Sequence, residues 1–297
     1  MVNSIKDRSG VWTVLDIINW GDAYFKKCGI ESPRLNIEYL LAKVFDCKRL
    51  DLYLTFDKPL NKKELDVVKK LVKQRKDGRP LQYILSEVDF CDTVLKVCEG
   101  VLIPRPETEI LVESLIDVLS ANKSSEELVI LDIGTGSGNI AIAIAKKIEK
   151  CKMFAVDFSE KALNVAKENA VANGVEDKIC FFRADIMKDW ARKSDMKFDC
   201  IVSNPPYVPL SDRKTLSRDV LDYEPNEALF GGEDGLDFYK RIISYFSEWI
   251  KKGGRIFLEL GINQSEPVKK MLTDAGFFDI NLVDDYQNIK RVVYATK

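Results

Sequence analysis

Leu128-Val129-Ile130-Leu131-Asp132-Ile133-Gly134-Thr135-Gly136-Ser137-Gly138 is the stretch that decides the fold. Its first six residues are largely apolar and β-branched, which reads as a buried strand. The three glycines that follow let the backbone turn sharply into a helix and approach a ligand without Cβ interference. Free amides at the start of that helix favour an anion, such as a phosphate or an amino-acid carboxylate. The next strand ends at Asp157, where a carboxylate can accept both hydroxyl protons of a ribose. The spacing is G-x-G-x-G, not the fuller G-x-G-x-x-G of dinucleotide enzymes, although the logic is shared. Asp132, Asp157 and Asp185 all fall at or just after strand ends, the side of an α/β sheet where ligands bind. Asp132 reads equally well as a ligand contact or as a residue that orients the loop.

Strands and helices alternate outward from this point. Candidate strands are Leu128–Ile133, Met153–Asp157, Ile179–Ala184, Phe198–Ser203, Gly254–Leu260, Ile280–Val283 and Arg291–Ala295. Helical runs lie between most of them, at Asn139–Glu149, Ser159–Ala172, Asp237–Lys251 and Gln264–Ala275. The pattern predicts an α/β fold with a doubly wound, mostly parallel seven-stranded sheet. The last two strands have no helix between them and should pair antiparallel. Upstream, apolar residues such as Val14, Ile17, Ile18, Leu65, Val68 and Leu71 recur at three-to-four spacing, and Ser32-Pro33 marks a helix start. Residues 1–78 therefore read as a small helical domain, 79–104 as a β-hairpin connector with a turn or bulge at Glu99-Gly100, and 105–297 as the α/β domain.

Bulk properties narrow the function. The 297 residues suffice for two domains, and 46% hydrophobic with 31% charged residues is ordinary soluble composition. The formal charge of -2, from 45 basic and 47 acidic residues, argues against a protein that lives on nucleic acid phosphates. The chain has no histidine, which removes Ser-His-Asp hydrolysis, Cys-His proteolysis and His-ligated metal sites. Its seven cysteines are scattered, with no CxxC pair, and read as reduced thiols. The amino terminus has no apolar signal core, so the expected location is the cytoplasm, with neither metal nor membrane involved.

The fourth strand, Phe198–Ser203, runs straight into Asn204-Pro205-Pro206-Tyr207. The Asn204 side-chain carbonyl and the Pro205 peptide carbonyl offer two acceptors close together, and a planar NH2 group carries two donors to match. The prolines stiffen the loop before substrate arrives, and Tyr207 offers a flat face for a planar amide or base. An amide nitrogen is a poor nucleophile because its lone pair is delocalised. Polarising both N–H bonds towards fixed acceptors makes it more electron-rich as a methyl group arrives, and no strong base is needed.

With these motifs the sequence resembles the class I methyltransferases that act on planar nitrogens. IPRPETE at 103–109, SNPPYVP at 203–209, EPNEALFGGEDG at 224–235 and LELG at 258–261 are similar to the HemK/PrmC glutamine methyltransferases. The resemblance implies S-adenosylmethionine-dependent N5-methylation of the glutamine in the Gly-Gly-Gln loop of peptide chain release factors. It implies that Gly134, Thr135, Gly136, Ser137, Gly138 and Asp157 hold the cofactor, with Asp185, Ile186 and Asn204 beside it. Asn204 and Pro205 would hold the glutamine amide with Pro206 and Tyr207 against it, and Pro104, Arg105, Pro106 and Glu107 would line the pocket mouth. The helical domain would recognise the substrate protein. One departure concerns adenine. Some family members carry a tryptophan directly after the aspartate matching Asp185, where this chain has Ile186, with Trp190 four positions further on.

The main rival is an adenine-N6 methyltransferase acting on DNA or RNA, since an exocyclic NH2 makes the same hydrogen bonds. Such an enzyme must also extract a base and grip phosphates. A nicotinamide-dependent dehydrogenase would not need Asn-Pro-Pro-Tyr, and a degenerate binding scaffold would not keep the loop, the acid and the tetrad intact.

Overall fold

The computed structural model describes residues 11–121, 126–188 and 196–297. The chain divides into two compact units, one reaching to Ser86 and including Arg218–Tyr223, the other made of Glu87–Ser217 and Glu224–Lys297. In the first unit, helix α1 (Val14–Lys27) starts where Thr13 and Asp16 cap each other's backbone amides. Such reciprocal capping satisfies N–H groups that the helix leaves unpaired. Helix α2 (Pro33–Phe45) begins with proline at its first turn, where the missing N–H costs nothing. Helix α3 (Lys62–Lys76) repeats the capping box with Asn61 and Glu64, and a short α4 (Leu81–Leu85) follows. Ile17, Ile18, Phe25, Leu40, Leu41, Val68 and Val72 form the shared core. Each such side chain contributes roughly 1.5–3 kcal/mol when fully buried.

The second unit opens with a hairpin, β1 (Glu87–Phe90) and β2 (Thr93–Lys96), paired from Phe90 opposite Thr93. Its turn is Cys91-Asp92, with φ of 45° and 58° at the two residues. Glu99-Gly100 forms a later turn, so the hairpin's own reversal lies earlier than the sequence signal suggests. The stretch 79–104 thus splits, α4 going with the first unit and the hairpin with the second. Phe90 and Leu95 of the hairpin join the core beneath helix α5 (Pro106–Ser120).

The main sheet comprises β3 (Leu128–Ile133), β4 (Cys151–Asp157), β5 (Ile179–Arg183), β6 (Phe198–Ser203), β7 (Ile250–Glu259), β8 (Phe278–Asp284) and β9 (Lys290–Thr296), in the order β5-β4-β3-β6-β7-β9-β8. All neighbours are parallel except β9, which runs antiparallel to both β7 and β8, as a two-strand end without a helix requires. Alternation along β3 sends Ile130 to one core and Leu131 and Ile133 to the other. Helices α5, α6 (Asn139–Lys147) and α7 (Glu160–Ala172) cover the first face. A short α8 (Arg218–Tyr223) belongs with the first unit, where Asp219 faces Arg75 at 3.8 Å and the Tyr223 hydroxyl donates to the Asp77 carbonyl at 3.3 Å. Helices α9 (Asp237–Phe246) and α10 (Ser265–Asp274) cover the other face of the sheet. The expected helix to Lys251 stops at Phe246 because Ile250 already pairs with Phe198. The winding reverses between β3 and β6, and in such sheets the crevice at the carboxyl ends of those strands is where ligands bind.

Candidate active site

A cavity of about 570 Å³ opens at that reversal. Its floor is the glycine turn. The Gly134 and Thr135 amides both donate to the Val156 carbonyl, at 2.9 and 3.0 Å, tying the turn to β4. Gly136 has φ of +55° with nothing within 4 Å of where a Cβ would stand, so glycine leaves the backbone bare towards the cavity. Asp157 lines the cavity and accepts from the Gly136 and Ser159 amides, each at 2.9 Å. Each carboxylate oxygen keeps a lone pair to spare. Burial pushes the Asp157 carboxyl above its ordinary range, and those amides pull against it. Ser137 also lines the cavity, and its buried hydroxyl has no hydrogen-bond partner among the described residues. Among the described residues no side chain caps α6, whose first amides follow Gly138.

Asp132 lies beneath the loop and does not line the cavity. Fully buried, it accepts from the Thr135 hydroxyl at 2.7 Å and is also pulled on by the Ala141 amide. Burial pushes its carboxyl up to about 7. Of its two sequence readings, the geometry displays the loop-orienting one. Asp185 lines the cavity at its partly exposed side, held low by a hydrogen bond with Lys188 and accepting from the Met187 amide at 3.0 Å. Ile186 lines it too, fixed by Arg241, whose Nε donates to the Ile186 carbonyl at 2.7 Å. Trp190 lies outside the described residues.

Asn204 and Pro205 stand at the carboxyl end of β6, and both line the cavity with Pro206. The Asn204 side-chain NH2 donates to Thr108 Oγ1 at 3.0 Å. The Thr108 hydroxyl in turn donates to Glu259 Oε2 at 2.6 Å, and the Tyr207 hydroxyl donates to Glu259 Oε1 at 3.2 Å. Glu259 is fully buried at the end of β7, and burial pushes its carboxyl up to about 7 against the pull of Thr108 and Tyr207. Tyr207 is thereby turned away from the cavity wall, and burial pushes its hydroxyl up from the ordinary phenol range.

The remaining wall joins two sequence motifs. Buried Glu224 accepts from Arg105 Nη2 at 2.6 Å and from the Ile103 amide at 3.3 Å, locking the IPRPETE and EPNEALFGGEDG stretches together. Arg105, Pro225, Glu227 and Ala228 line the cavity beyond this clasp. The glycines of the second motif back the Asn-Pro-Pro-Tyr loop. A Cβ on Gly231 would stand 2.5 Å from the Pro206 carbonyl oxygen, and one on Gly235 would stand 2.2 Å from that of Tyr207. Gln264 completes the backing, its Nε2 donating to the Tyr207 carbonyl at 2.9 Å.

The cavity thus gathers Arg105, Gly134, Gly136, Ser137 and Asp157 with Asp185, Ile186, Asn204, Pro205 and Pro206. Thr135, Gly138, Tyr207, Pro106 and Glu107 do not line it. Thr135 is spent on Asp132, Gly138 packs towards Ala166 of α7, and Pro106 and Glu107 turn into the first turn of α5. Thr108, Glu224 and Glu259 lie within the IPRPETE, EPNEALFGGEDG and LELG stretches, but the sequence assigned none of them a role of its own. The available signal was a glutamate inside the otherwise apolar run Ile256–Leu260, which a buried position makes costly without partners.

Comparison with known proteins places this geometry. Residues 16–85 match the family described as PrmC N-terminal domain, and residues 107–222 match the methyltransferase small domain. The release factor glutamine methyltransferase of Geobacter sulfurreducens is 38% identical over 97% of this chain and 98% of its own length. That of Chlorobaculum tepidum is 38% identical over 95% and 96% respectively. Among solved structures, the hMettl16 catalytic domain in complex with MAT2A 3'UTR hairpin 6 aligns with a TM-score of 0.53, at 20% identity over 74% of this chain and 81% of that one. A methyltransferase from Pyrococcus furiosus aligns at 0.50, with 17% identity over 68% and 88%. These two likenesses establish the class I methyltransferase fold of the second unit's sheet. Near-full-length identity goes further: the chain belongs to the release factor glutamine methyltransferase family.

Proposed function

We propose that this protein transfers the methyl group of S-adenosylmethionine to the side-chain nitrogen of the glutamine in the Gly-Gly-Gln loop of peptide chain release factors. The observation that carries the proposal is the Asn204 amide. Its NH2 is engaged by Thr108, itself part of the cavity wall, which leaves its carbonyl as the acceptor for a substrate, beside Pro205. Two acceptors in a row match the two donors of a glutamine NH2 group. They hold the nitrogen in place and stabilise the positive charge that grows on it during transfer. The methylated amide nitrogen is strongly acidic and gives up its proton to water, so a chain without histidine lacks nothing the reaction needs.

The cofactor, when bound, supplies an electrophilic methyl carbon on a sulfonium. The residues present fit such a ligand. Asp157 retains acceptor capacity for ribose hydroxyls, and Gly136 leaves room for close approach. The Ser137 hydroxyl and the start of α6, neither of them engaged by a side chain among the described residues, fit its carboxylate end. Ile186, Met187 and Phe158 supply apolar wall for a base. Arg105, Pro225, Glu227 and Ala228 are placed to meet the peptide flanking the glutamine. To the helical unit we assign recognition of the folded substrate, with release factors as the partners.

The test is mass spectrometry of acceptors after incubation with methyl donor: an intact release factor, the same factor with its loop glutamine replaced, an isolated Gly-Gly-Gln peptide, and double-stranded DNA. Methylation of the intact factor at glutamine, weaker on the peptide and lost in the replaced factor, is the expected result. Transfer to DNA adenine but not to glutamine would overturn the substrate assignment.

A further inference from the structure

The chain of donors from Asn204 through Thr108 to Glu259 has one direction when Glu259 is ionised. Above about pH 7 Glu259 is ionised, and an ionised carboxylate can only accept hydrogen bonds. Glu259 Oε2 therefore accepts from the Thr108 hydroxyl at 2.6 Å, and the Tyr207 hydroxyl donates to the other oxygen at 3.2 Å. Thr108 Oγ1 then has only lone pairs left to offer. The Asn204 atom 3.0 Å away must be the amide nitrogen, since an oxygen there would face an oxygen with no proton between them. An asparagine side chain has two orientations of nearly the same shape, related by exchange of O and N. The flipped one would turn an NH2 group towards the substrate's own NH2, donor against donor.

We propose that Thr108 and Glu259 are positioning residues that hold the Asn204 amide with its carbonyl towards the substrate nitrogen. The inference rests on the reading of Asn204 as that acceptor. All three residues come from different elements, the first turn of α5 and the carboxyl ends of β6 and β7. Glu259 and Thr108 are buried, so the lock works in a low-dielectric setting where such bonds are directional and strong. Glu259 does not line the cavity, and Thr108, which does, spends its hydroxyl on Glu259 and Asn204. Their effect is on which face Asn204 presents, and hence on turnover.

The decisive variants are Thr108→Val, which keeps the side chain's shape but removes the hydroxyl, and Thr108→Ser, which restores it. Steady-state kinetics on the intact release factor and calorimetric titration of S-adenosylmethionine give the readouts. Thr108→Val should lower kcat on the order of 10–100-fold, the usual range for losing an orienting partner. Cofactor affinity should stay at the wild-type value, and Thr108→Ser should recover most of the rate. Adding Thr108→Val to Asn204→Ala should cost nothing beyond Asn204→Ala alone, because the threonine acts through the asparagine. If Thr108→Val does not fold, Thr108→Ala takes its place in the same cycle. Wild-type kcat in the hydroxyl-less variant, failure of serine to rescue, or an additive double variant overturns the proposal while leaving Asn204 untouched. A wild-type protein inactive on glutamine overturns it together with the proposed function.

Discussion

Replacing Glu259 by glutamine makes the protein's pH dependence of stability a direct report on the buried network. Burial raises this carboxyl from 4.5 to about 7 in the folded protein. The folded state therefore binds a proton that the unfolded chain has already released over most of that window, so stability is greatest below about 4.5 and falls as pH rises through about 7. At about 1.4 kcal/mol per tenfold change in proton affinity, the full difference is about 3 kcal/mol. Most of it develops between pH 5 and 8. Glutamine cannot titrate, so Glu259→Gln removes this slope while adding a pH-independent offset from its altered hydrogen bonds to Thr108 and Tyr207. Relative to wild type, the variant should gain about 2–3 kcal/mol between pH 5 and pH 8. Domains of 150–250 residues shift by about 2–4 °C per kcal/mol, so the Tm difference should move by about 4–12 °C in the variant's favour. Scanning calorimetry of both proteins across that range, without cofactor, measures it. A Tm difference that stays constant with pH would mean Glu259 titrates as an ordinary exposed carboxylate, and the argument from burial would fail.

Two further substitutions probe the cavity from opposite sides. Asp157→Ala should weaken S-adenosylmethionine binding at least tenfold by calorimetry, since hydrogen bonds to a charged group contribute about 1.5–3 kcal/mol each, and unchanged affinity would remove Asp157 from the site. Gly235→Ala places a Cβ 2.2 Å from the Tyr207 carbonyl oxygen at a φ of +74°, so the Asn-Pro-Pro-Tyr loop must move. Its kcat should fall on the order of 100-fold with cofactor affinity preserved, and wild-type turnover would show that the loop does not need that backing.

How much of this was legible in the sequence depends on how local each signal is. Leu128–Ile133 and Phe198–Ser203 are strands from end to end as read, because their apolar runs are bounded by a glycine turn and a proline loop. The antiparallel end of the sheet followed from the missing helix between Asp284 and Lys290. Cys91-Asp92 was not legible as the hairpin turn, since neither residue is glycine and both adopt positive φ under the demands of strand pairing. Nor was the attachment of Arg218–Tyr223 to the first unit, which rests on the weakly patterned contacts of Asp219 and Tyr223. At the cavity, motif residues such as Asp157, Asn204 and Arg105 converge because each motif ends a strand or begins a helix at the same edge. The backing residues escaped for the opposite reason. Thr108 and Glu259 are 151 positions apart, and only the register of α5 against β7 brings a hydroxyl to a carboxylate. Tyr207 was read as a platform for the substrate; its hydroxyl donates to the buried Glu259, and the cavity lining does not include it.

The central claim is that Asn204 accepts from the substrate nitrogen during methyl transfer, and its most direct test is the single-turnover rate of Asn204→Ala on an intact release factor with the cofactor pre-bound. Removing one preorganised group that meets developing charge costs on the order of 100–1000-fold. The account predicts a loss of that size in the transfer step, with S-adenosylmethionine affinity unchanged by calorimetry and partial activity in Asn204→Asp, which keeps an acceptor at the same place. A transfer rate in Asn204→Ala equal to that of wild type would contradict it.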